Sequence, residues 1–469
     1  MRIAIYGVGG YYEKRCRELI SLMAKEDELV AVFDRKFVNK MEIDGLPAIN
    51  PKLVKSVDFD CIIIMSVHVE EIYDSLCNLG VDKEKIYNWK QYRAEKTGGS
   101  VIKYNSMFSG RGESVFVISN PLRYDGGSMA AIYLCMALRA NNYHVCISSE
   151  VVEEELKELL LKNGIDLAVC EDIPYIGKKL MQWISSFSIV IINVFPNIHA
   201  TCILNRIKPV LWWIHESDIY GKIYSKTFEM YPAYRKNAKI DAVNVVAVSE
   251  NACNNFKRYY PYADVRIMPY GLPDESFHNK VGSTKLVFAI IGTVSYLKGQ
   301  DVFVEAAVKV MTKKNKNVEF WLVGNDTSDY AQKLVSKVIG KDFIKVKGEV
   351  NRSEMKKMFS AIDVVVSASR EDSLPIVVSE GMMNSKTCII SDAIGSVKYI
   401  RNMESGIIFS SQDAVDLSQK MLWCIDNRNL LRKIGDNARK VYESVFSMES
   451  FGKRLEKEII YTKNKFKCV

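Results

Sequence analysis

The feature that most constrains this chain is a rhythm that starts three times. Short apolar runs alternate with amphipathic helical stretches, which predicts parallel sheets covered by helices on both faces. The first series opens at "RIAIYGVGGYY", passes through "ELVAVFD" and "FDCIIIMS", and ends near "KIYNW", giving a unit over residues 1–95. "EKTGGSVIKYNSMFSGRGES" then breaks the pattern with Gly, Ser and charge, as a linker over residues 96–113 would. A second series begins at "SVFVISN" and covers residues 114–283; a third begins at "LVFAIIG" and covers residues 284–445. The end of the chain reads as helix alone, and residues 446–469 are expected to pack back across the preceding units. The fold class expected is α/β: two Rossmann-like domains facing each other across a cleft, preceded by a small Rossmann-like domain.

Length agrees with this division, since 469 residues suit two or three domains of roughly 100–200 residues each. With 48% hydrophobic residues, each can bury a core. The net charge of +8 is spread among nearly as many acids as bases, so nucleic-acid binding is not indicated. The eleven cysteines are odd in number and form no C-x-x-C, and several sit inside strand-like runs such as "CIIIMS" and "TCIISD". They read as reduced core thiols of a cytoplasmic protein. "MRIAIYG" reads directly as a strand, so no signal peptide is expected. The longest apolar runs fall well short of the roughly 18 residues of a membrane span.

The chemistry concentrates in "SREDSLPIVVSEGMM", residues 369–383. It follows the strand-like "DVVVSAS", so its acids lie at the carboxyl edge of a parallel sheet, where ligands bind. Ser373 is expected to cap a helix running from Leu374, with Pro375 in its first turn. Such a helix start offers free amides and a positive dipole end, which suit a diphosphate. Glu380, one to two turns in, could accept two hydrogen bonds from a vicinal diol such as a ribose. Asp372, in the loop before the helix, would reach a sugar on the other side. A solvated loop acid and a surface helix acid fit the pattern equally well.

Three further stretches bear on that choice. "AIIGTVSYLKGQDVFVEAA" is a strand, a turn at Gly292, and Lys298-Gly299 opening a helix with Asp301 in its first turns. A lysine there can neutralise charge on a leaving diphosphate. "LWWIHESDIY" ends a strand of the second unit with His215 and Glu216, expected to face the cleft. In "SNPLRYDGGSMAAIYL", Gly126 and Gly127 lie between strand and helix and allow a ligand close to the backbone. Each stretch alone is common.

Taken in order, "GTVSYLKGQD", "FWLVG", "VKGEV", "AIDVVVSASREDSLPIVVSEGMM" and "SDAIGSVKYI" resemble the retaining glycosyltransferases of family 4, the glycosyl transferases group 1 of the GT-B fold. The resemblance covers the chain from about Ser114 onwards. It implies transfer from a nucleoside-diphosphate sugar with retained anomeric configuration and no metal. It implies Glu380 on the ribose, Lys298 on the diphosphate and His215 on the donor sugar. The implied catalytic set is Lys298, Asp372 and His215. The implied donor-binding set adds Thr293, Ser373, Leu374, Pro375 and Glu380, with Gly127 and Val350. Two departures stand out: the first acid of the usual Glu-x7-Glu is Asp372, preceded by Glu371, and Thr293 stands where relatives often carry arginine.

In the first unit, "IYGVGGYY" followed by Asp34 imitates a dinucleotide fingerprint, but Tyr12 occupies the place of the third glycine. "DFD", residues 58–60, looks like a metal-binding D-x-D but directly precedes the strand "CIIIM" and reads as a turn into it. The unit resembles small Rossmann-like domains attached to surface-polysaccharide enzymes and is expected to be dispensable for chemistry. The whole reads as a cytoplasmic glycosyltransferase of cell-surface polysaccharide biosynthesis (lipopolysaccharide or capsule) acting on a glycan or lipid-linked acceptor. The basic final helix leaves room for peripheral contact with the inner face of the membrane, although a helix packed on the protein fits it better. The competing readings are a non-catalytic sugar-nucleotide-binding or partner protein with a degenerate GT-B fold, and an oxidoreductase or sugar-nucleotide-modifying enzyme centred on the first unit.

Overall fold

A computed structural model describes residues 1–38, 41–99, 101–106, 112–218, 221–232, 234–276, 285–313, 317–324 and 327–468. The first sheet contains β1 (Arg2–Tyr6), β2 (Glu28–Phe33), β3 (Met41–Ile43), β4 (Leu46–Ile49), β5 (Cys61–Ile64) and β6 (Ile86–Asn88), in the order β3-β4-β2-β1-β5-β6. It is parallel apart from the β3–β4 pair. The second contains β7 (Ile102–Tyr104), β8 (Ser114–Ile118), β9 (His144–Ser149), β10 (Asp166–Val169), β11 (Ile189–Asn193), β12 (Val210–Ile214), β13 (Asn244–Ala247) and β14 (Val265–Ile267). Their order is β14-β13-β12-β11-β8-β9-β10-β7, with β7 antiparallel to β10. The third, all parallel, contains β15 (Leu286–Ile291), β16 (Val318–Val323), β17 (Ile344–Gly348), β18 (Val364–Ser367), β19 (Thr387–Ser391) and β20 (Ile407–Phe409), in the order β17-β16-β15-β18-β19-β20.

The central strands are continuous apolar runs because both of their faces are covered. Trp212 and Trp213, adjacent on β12, are both fully buried. Their indole N–H groups donate to Val194 O at 2.9 Å and Met268 O at 3.0 Å, so neither polar atom is stranded. One apolar core runs from the second unit into the near face of the third, through Leu374, Val378 and Met382. The far face of the third unit has its own core.

Parts of the segment expected as a linker belong to regular elements. Residues 96 and 97 close the helix Trp89–Thr97, Gly98 caps it in the left-handed region, and β7 joins the second sheet. Residues 107–111 of that segment, and the expected boundary at 283 and 284, lie outside the described residues. The final helix, Met448–Lys467, returns to the second unit, where Asn244 Nδ2 donates to Glu458 Oε2 at 3.0 Å and Thr462 Oγ1 at 2.9 Å. Phe451 stacks on Trp213, Lys463 pairs with Glu113, and Lys465 donates to Val243 O. These basic side chains are engaged on the protein. None of the eleven cysteines forms a disulfide, and eight are buried. Among the described residues no helix is long and apolar enough to cross a membrane.

Candidate active site

In the third sheet the strand order reverses between β15 and β18, and open parallel sheets hold ligands at such a point. The loop after β15 runs from Gly292 through the short turn Tyr296–Lys298 into the helix Gln300–Lys313. Buried Gln300 shapes it by accepting from Ser295 N at 3.2 Å and donating to Thr293 O at 3.1 Å. Gly299 sits at φ +70 against Ala368 O, where a Cβ would lie 2.0 Å away. The result is that Lys298 Nζ donates to Asp372 Oδ2 at 2.6 Å across the reversal point. Thr293 is exposed at the start of the same loop.

The loop after β18 departs from expectation at its helix start. The helix is Ile376–Met383, Pro375 is its N-cap at ψ 123, and Ser373 Oγ is buried without a hydrogen-bond partner. The proline is the cause: its ring disfavours helical geometry at the residue before it, so Leu374 cannot be helical and Ser373 is too far back to cap. The opening amides of Ile376 and Val377 have no helical carbonyl ahead of them. Glu380 is four residues after Ile376 and shares its face. Ile376 is the nearest group to Gly126 of the second unit, 3.8 Å from where a Cβ on that glycine would be. Glu380 therefore lies on the stripe that meets the second unit.

Opposite stands the start of the helix Gly126–Ala140, capped by Asp125, whose carboxylate accepts from Ser128 N at 2.8 Å. Gly127 O accepts from Asn193 Nδ2 at 3.2 Å. His215 follows β12 with its ring 4.3 Å from that of Trp213, and its Nε2 is buried without a partner. Burial drives the imidazole pKa down to about 3, so it is neutral at ordinary pH. Glu216 does not face the cleft as expected. Its carboxylate turns inward and accepts from Phe195 N at 2.8 Å and His215 N at 2.9 Å, and burial pushes its pKa up to about 7. Val350 lies at the carboxyl edge of the same sheet as Lys298, after β17 and immediately before Asn351, the capping residue of the helix Arg352–Ala361.

Comparison with known families decides the class of the third unit, because residues 273–441 match the model described as glycosyl transferases group 1. The third unit is a glycosyl transferases group 1 domain. Residues 1–87 match the model C2185-like, N-terminal. Alpha-D-kanosaminyltransferase of Streptomyces kanamyceticus is 23% identical over 270 residues, 55% of this chain and 65% of that protein. N,N'-diacetylbacillosaminyl-diphospho-undecaprenol alpha-1,3-N-acetylgalactosaminyltransferase of Campylobacter jejuni is 24% identical over 197 residues, 42% of this chain and 49% of that protein. The chain thus spans about two thirds of the first relative's length and half of the second's. HepE from Anabaena, in complex with UDP and glucose, superposes with a TM-score of 0.62 at 14% identity over 74% of this chain and 98% of its own. WaaG, a glycosyltransferase involved in lipopolysaccharide biosynthesis, gives 0.57 at 13% identity over 73% and 99%. The group 1 domain and the unit before it therefore form a GT-B fold.

Within the group 1 domain the sequence reading missed Arg370. This nearly buried arginine donates to Asp301 Oδ1 at 2.9 Å and Oδ2 at 2.7 Å, and its guanidinium lies 3.7 Å over the Tyr296 ring. Its backbone N donates to Leu297 O at 2.8 Å, so it pins the loop carrying Lys298 to the loop carrying Asp372. The available signal was that an arginine in a buried strand-end loop needs a carboxylate. Glu371 also has its own destination: its Oε1 accepts from Asp218 N at 3.1 Å and Asn255 Nδ2 at 2.8 Å, both in the second unit. In the first unit Tyr12 is buried and donates to Asp44, while Asp34 accepts from Val8 N at 3.2 Å. Asp58 and Asp60 both turn onto Arg2 at the start of β5's neighbour.

Two buried imidazoles, His215 and the His199 ring packed against Tyr175 and Tyr231, make stability depend on pH. Burial holds both His199 and His215 near a pKa of about 3, whereas unfolded histidine titrates near 6.5. Their folded pKa is depressed, so this stability is complete above about pH 6.5 and is lost as pH falls from there towards 3. The expected result is a melting temperature that declines across that window and a shallower decline in His199→Gln and in His215→Gln. Equal slopes in parent and variants would assign the acid sensitivity elsewhere.

Proposed function

We propose that the chain is a retaining, metal-independent glycosyltransferase that moves a sugar from a nucleoside-diphosphate sugar to a glycan or lipid-linked acceptor of cell-surface polysaccharide biosynthesis. The observation carrying this reading is the Lys298–Asp372 contact of 2.6 Å at the strand-order reversal, beside the start of the helix bearing Glu380. The donor diphosphate takes the helix amides and draws Lys298 from Asp372. Glu380 accepts from the nucleoside diol, and the freed Asp372 accepts from sugar hydroxyls. His215 Nε2 gains the partner it lacks, and Gly126 and Gly127 let the donor approach the opposite backbone. Thr293, Ser373, Leu374, Pro375 and Val350 complete the walls. The bond from the anomeric carbon to the diphosphate oxygen breaks while the acceptor oxygen bonds on the same face. The acceptor proton passes to the departing phosphate oxygen.

Two relatives support the substrate classes: HepE was crystallised with UDP and glucose, and the Campylobacter jejuni relative is named for a diphospho-undecaprenol-linked sugar. Calorimetry with nucleoside diphosphates tests the donor assignment. Glu380→Gln keeps the shape and removes the charge, so affinity is expected to weaken by about 1–3 kcal/mol, the worth of hydrogen bonds to a charged group. Unchanged affinity would remove Glu380 from the donor site. Hydrolysis of a nucleotide sugar by the parent chain separates an enzyme from a degenerate binder.

A further inference from the structure

The first unit is docked on the second through specific contacts. Lys90 pairs with Glu150 at 2.8 Å, Arg93 pairs with Glu171 at 2.8 Å and Asp172 at 3.0 Å, and Asn88 donates to the Tyr175 hydroxyl. The helix Val69–Asn78 packs on the helix Lys222–Met230. Glu150 and Asp172 follow β9 and β10, so the first unit stands over the carboxyl edge of the second sheet, the side on which such sheets hold ligands. It presents its own carboxyl edge in return: Tyr11 follows β1, and Ser66 and Val67 follow β5, at the strand-order reversal of the first sheet. Between the two edges lies a half-open cleft with a volume of about 180 Å³. Small-molecule sites favour domain interfaces of this kind.

We infer that this cleft is a subsite for the outer sugars of the acceptor saccharide, an inference that rests on the glycosyltransferase reading. The argument from position uses the helix Lys222–Met230. Its start is tied to the loop after His215, since Asp218 Oδ1 accepts from Ile223 N at 3.0 Å, and its later residues Lys226 and Glu229 line the cleft. At about 1.5 Å per residue the helix covers ~5–9 Å between Ile223 and those residues, roughly the length of one or two sugar rings. The argument from chemistry uses the lining: donors on Lys90, Lys226 and Asn88, acceptors on Glu229 and Ser66, and the half-buried Tyr11 ring steadied by Arg15 at 3.9 Å. A bare anion would meet Glu229, and a lipid chain would leave Lys226 and Glu229 facing apolar surface. A saccharide presents an apolar ring face and hydroxyls that both donate and accept. The first unit then sets which acceptor is taken, and the group 1 domain sets the donor.

The test uses the full chain on an array of short neutral and acidic oligosaccharides, with Val67→Arg, which fills the cleft from its exposed rim, and Tyr11→Ala. Thermal melts establish that both variants fold, and donor hydrolysis by the parent chain scores the glycosyltransferase reading separately. The expected result is a bound oligosaccharide whose affinity falls about tenfold or more in both variants. Retention of full affinity in both folded variants, or no oligosaccharide held by the parent chain, would overturn the subsite even if the parent hydrolyses donor. Conversely, cleft-dependent glycan binding by a chain that hydrolyses no donor would leave a glycan site and remove the enzyme.

Discussion

Replacing Lys298 with alanine is expected to lower the maximal transfer rate about a hundredfold or more while leaving the fold intact. Charge grows on the diphosphate as the sugar bond breaks, so an ammonium group fixed beside it acts more strongly in the transition state than in the ground state. On the proposed reading, with Thr293 at the place where the resemblance implies arginine, this work falls to Lys298 and the helix amides. The fold is expected to stand because the pair is only part-buried, with the Lys298 side chain 40% and that of Asp372 15% exposed, so its loss should cost about 1 kcal/mol. Single-turnover transfer at saturating donor, with a melt of each protein, checks both halves. A folded Lys298→Ala protein working at the parent rate would reject the leaving-group role.

Gly299→Ala is expected to cost about 2–4 kcal/mol of stability, combining left-handed backbone strain with overpacking. At φ +70 its added Cβ would meet Ala368 O at 2.0 Å and Ala368 C at 2.8 Å, and that backbone continues β18 and cannot readily yield. Gly340→Ala is the control. It has a similar φ of +79 and nothing within 4 Å, so it carries the strain without the collision. Chemical denaturation of the two proteins should separate the terms. Similar losses in both would mean that the approach of the Lys298 loop to β18 does not matter to stability.

The alternation of strands and helices was legible because strands buried on both faces must be continuous apolar runs, as in "CIIIM" and "VVVS". Lys298 and Asp372 could be assigned to one edge because each lies in the loop that follows such a run. The helix start was misplaced because two rules competed there. A serine before an apolar run suggested a cap, but the restriction before Pro375 prevailed. Glu216 was placed in the cleft because sequence spacing gives no sense of which way a side chain turns after a strand ends. Its inward turn answers two backbone N–H groups that only the folded loops bring together. Arg370 was overlooked, and the partners of Glu371 went unread, for a related reason: Asp301, Asp218 and Asn255 lie 69 to 153 positions away in the chain.

The three residues of β7 carry a consequence for where this protein can be divided. By covalent order they belong with the segment that joins the first unit to the second, yet their hydrogen bonds close the outer margin of the second sheet through Leu167, Ala168 and Val169 of β10. Cutting the chain at Ser114 would therefore bare a strand whose unpaired amides and carbonyls invite pairing with other molecules. Inactivity of such a fragment would report self-association as readily as lost chemistry. A fragment that keeps β7 leaves that margin closed, so the point at which the two bodies part lies before Ile102 and not at Ser114.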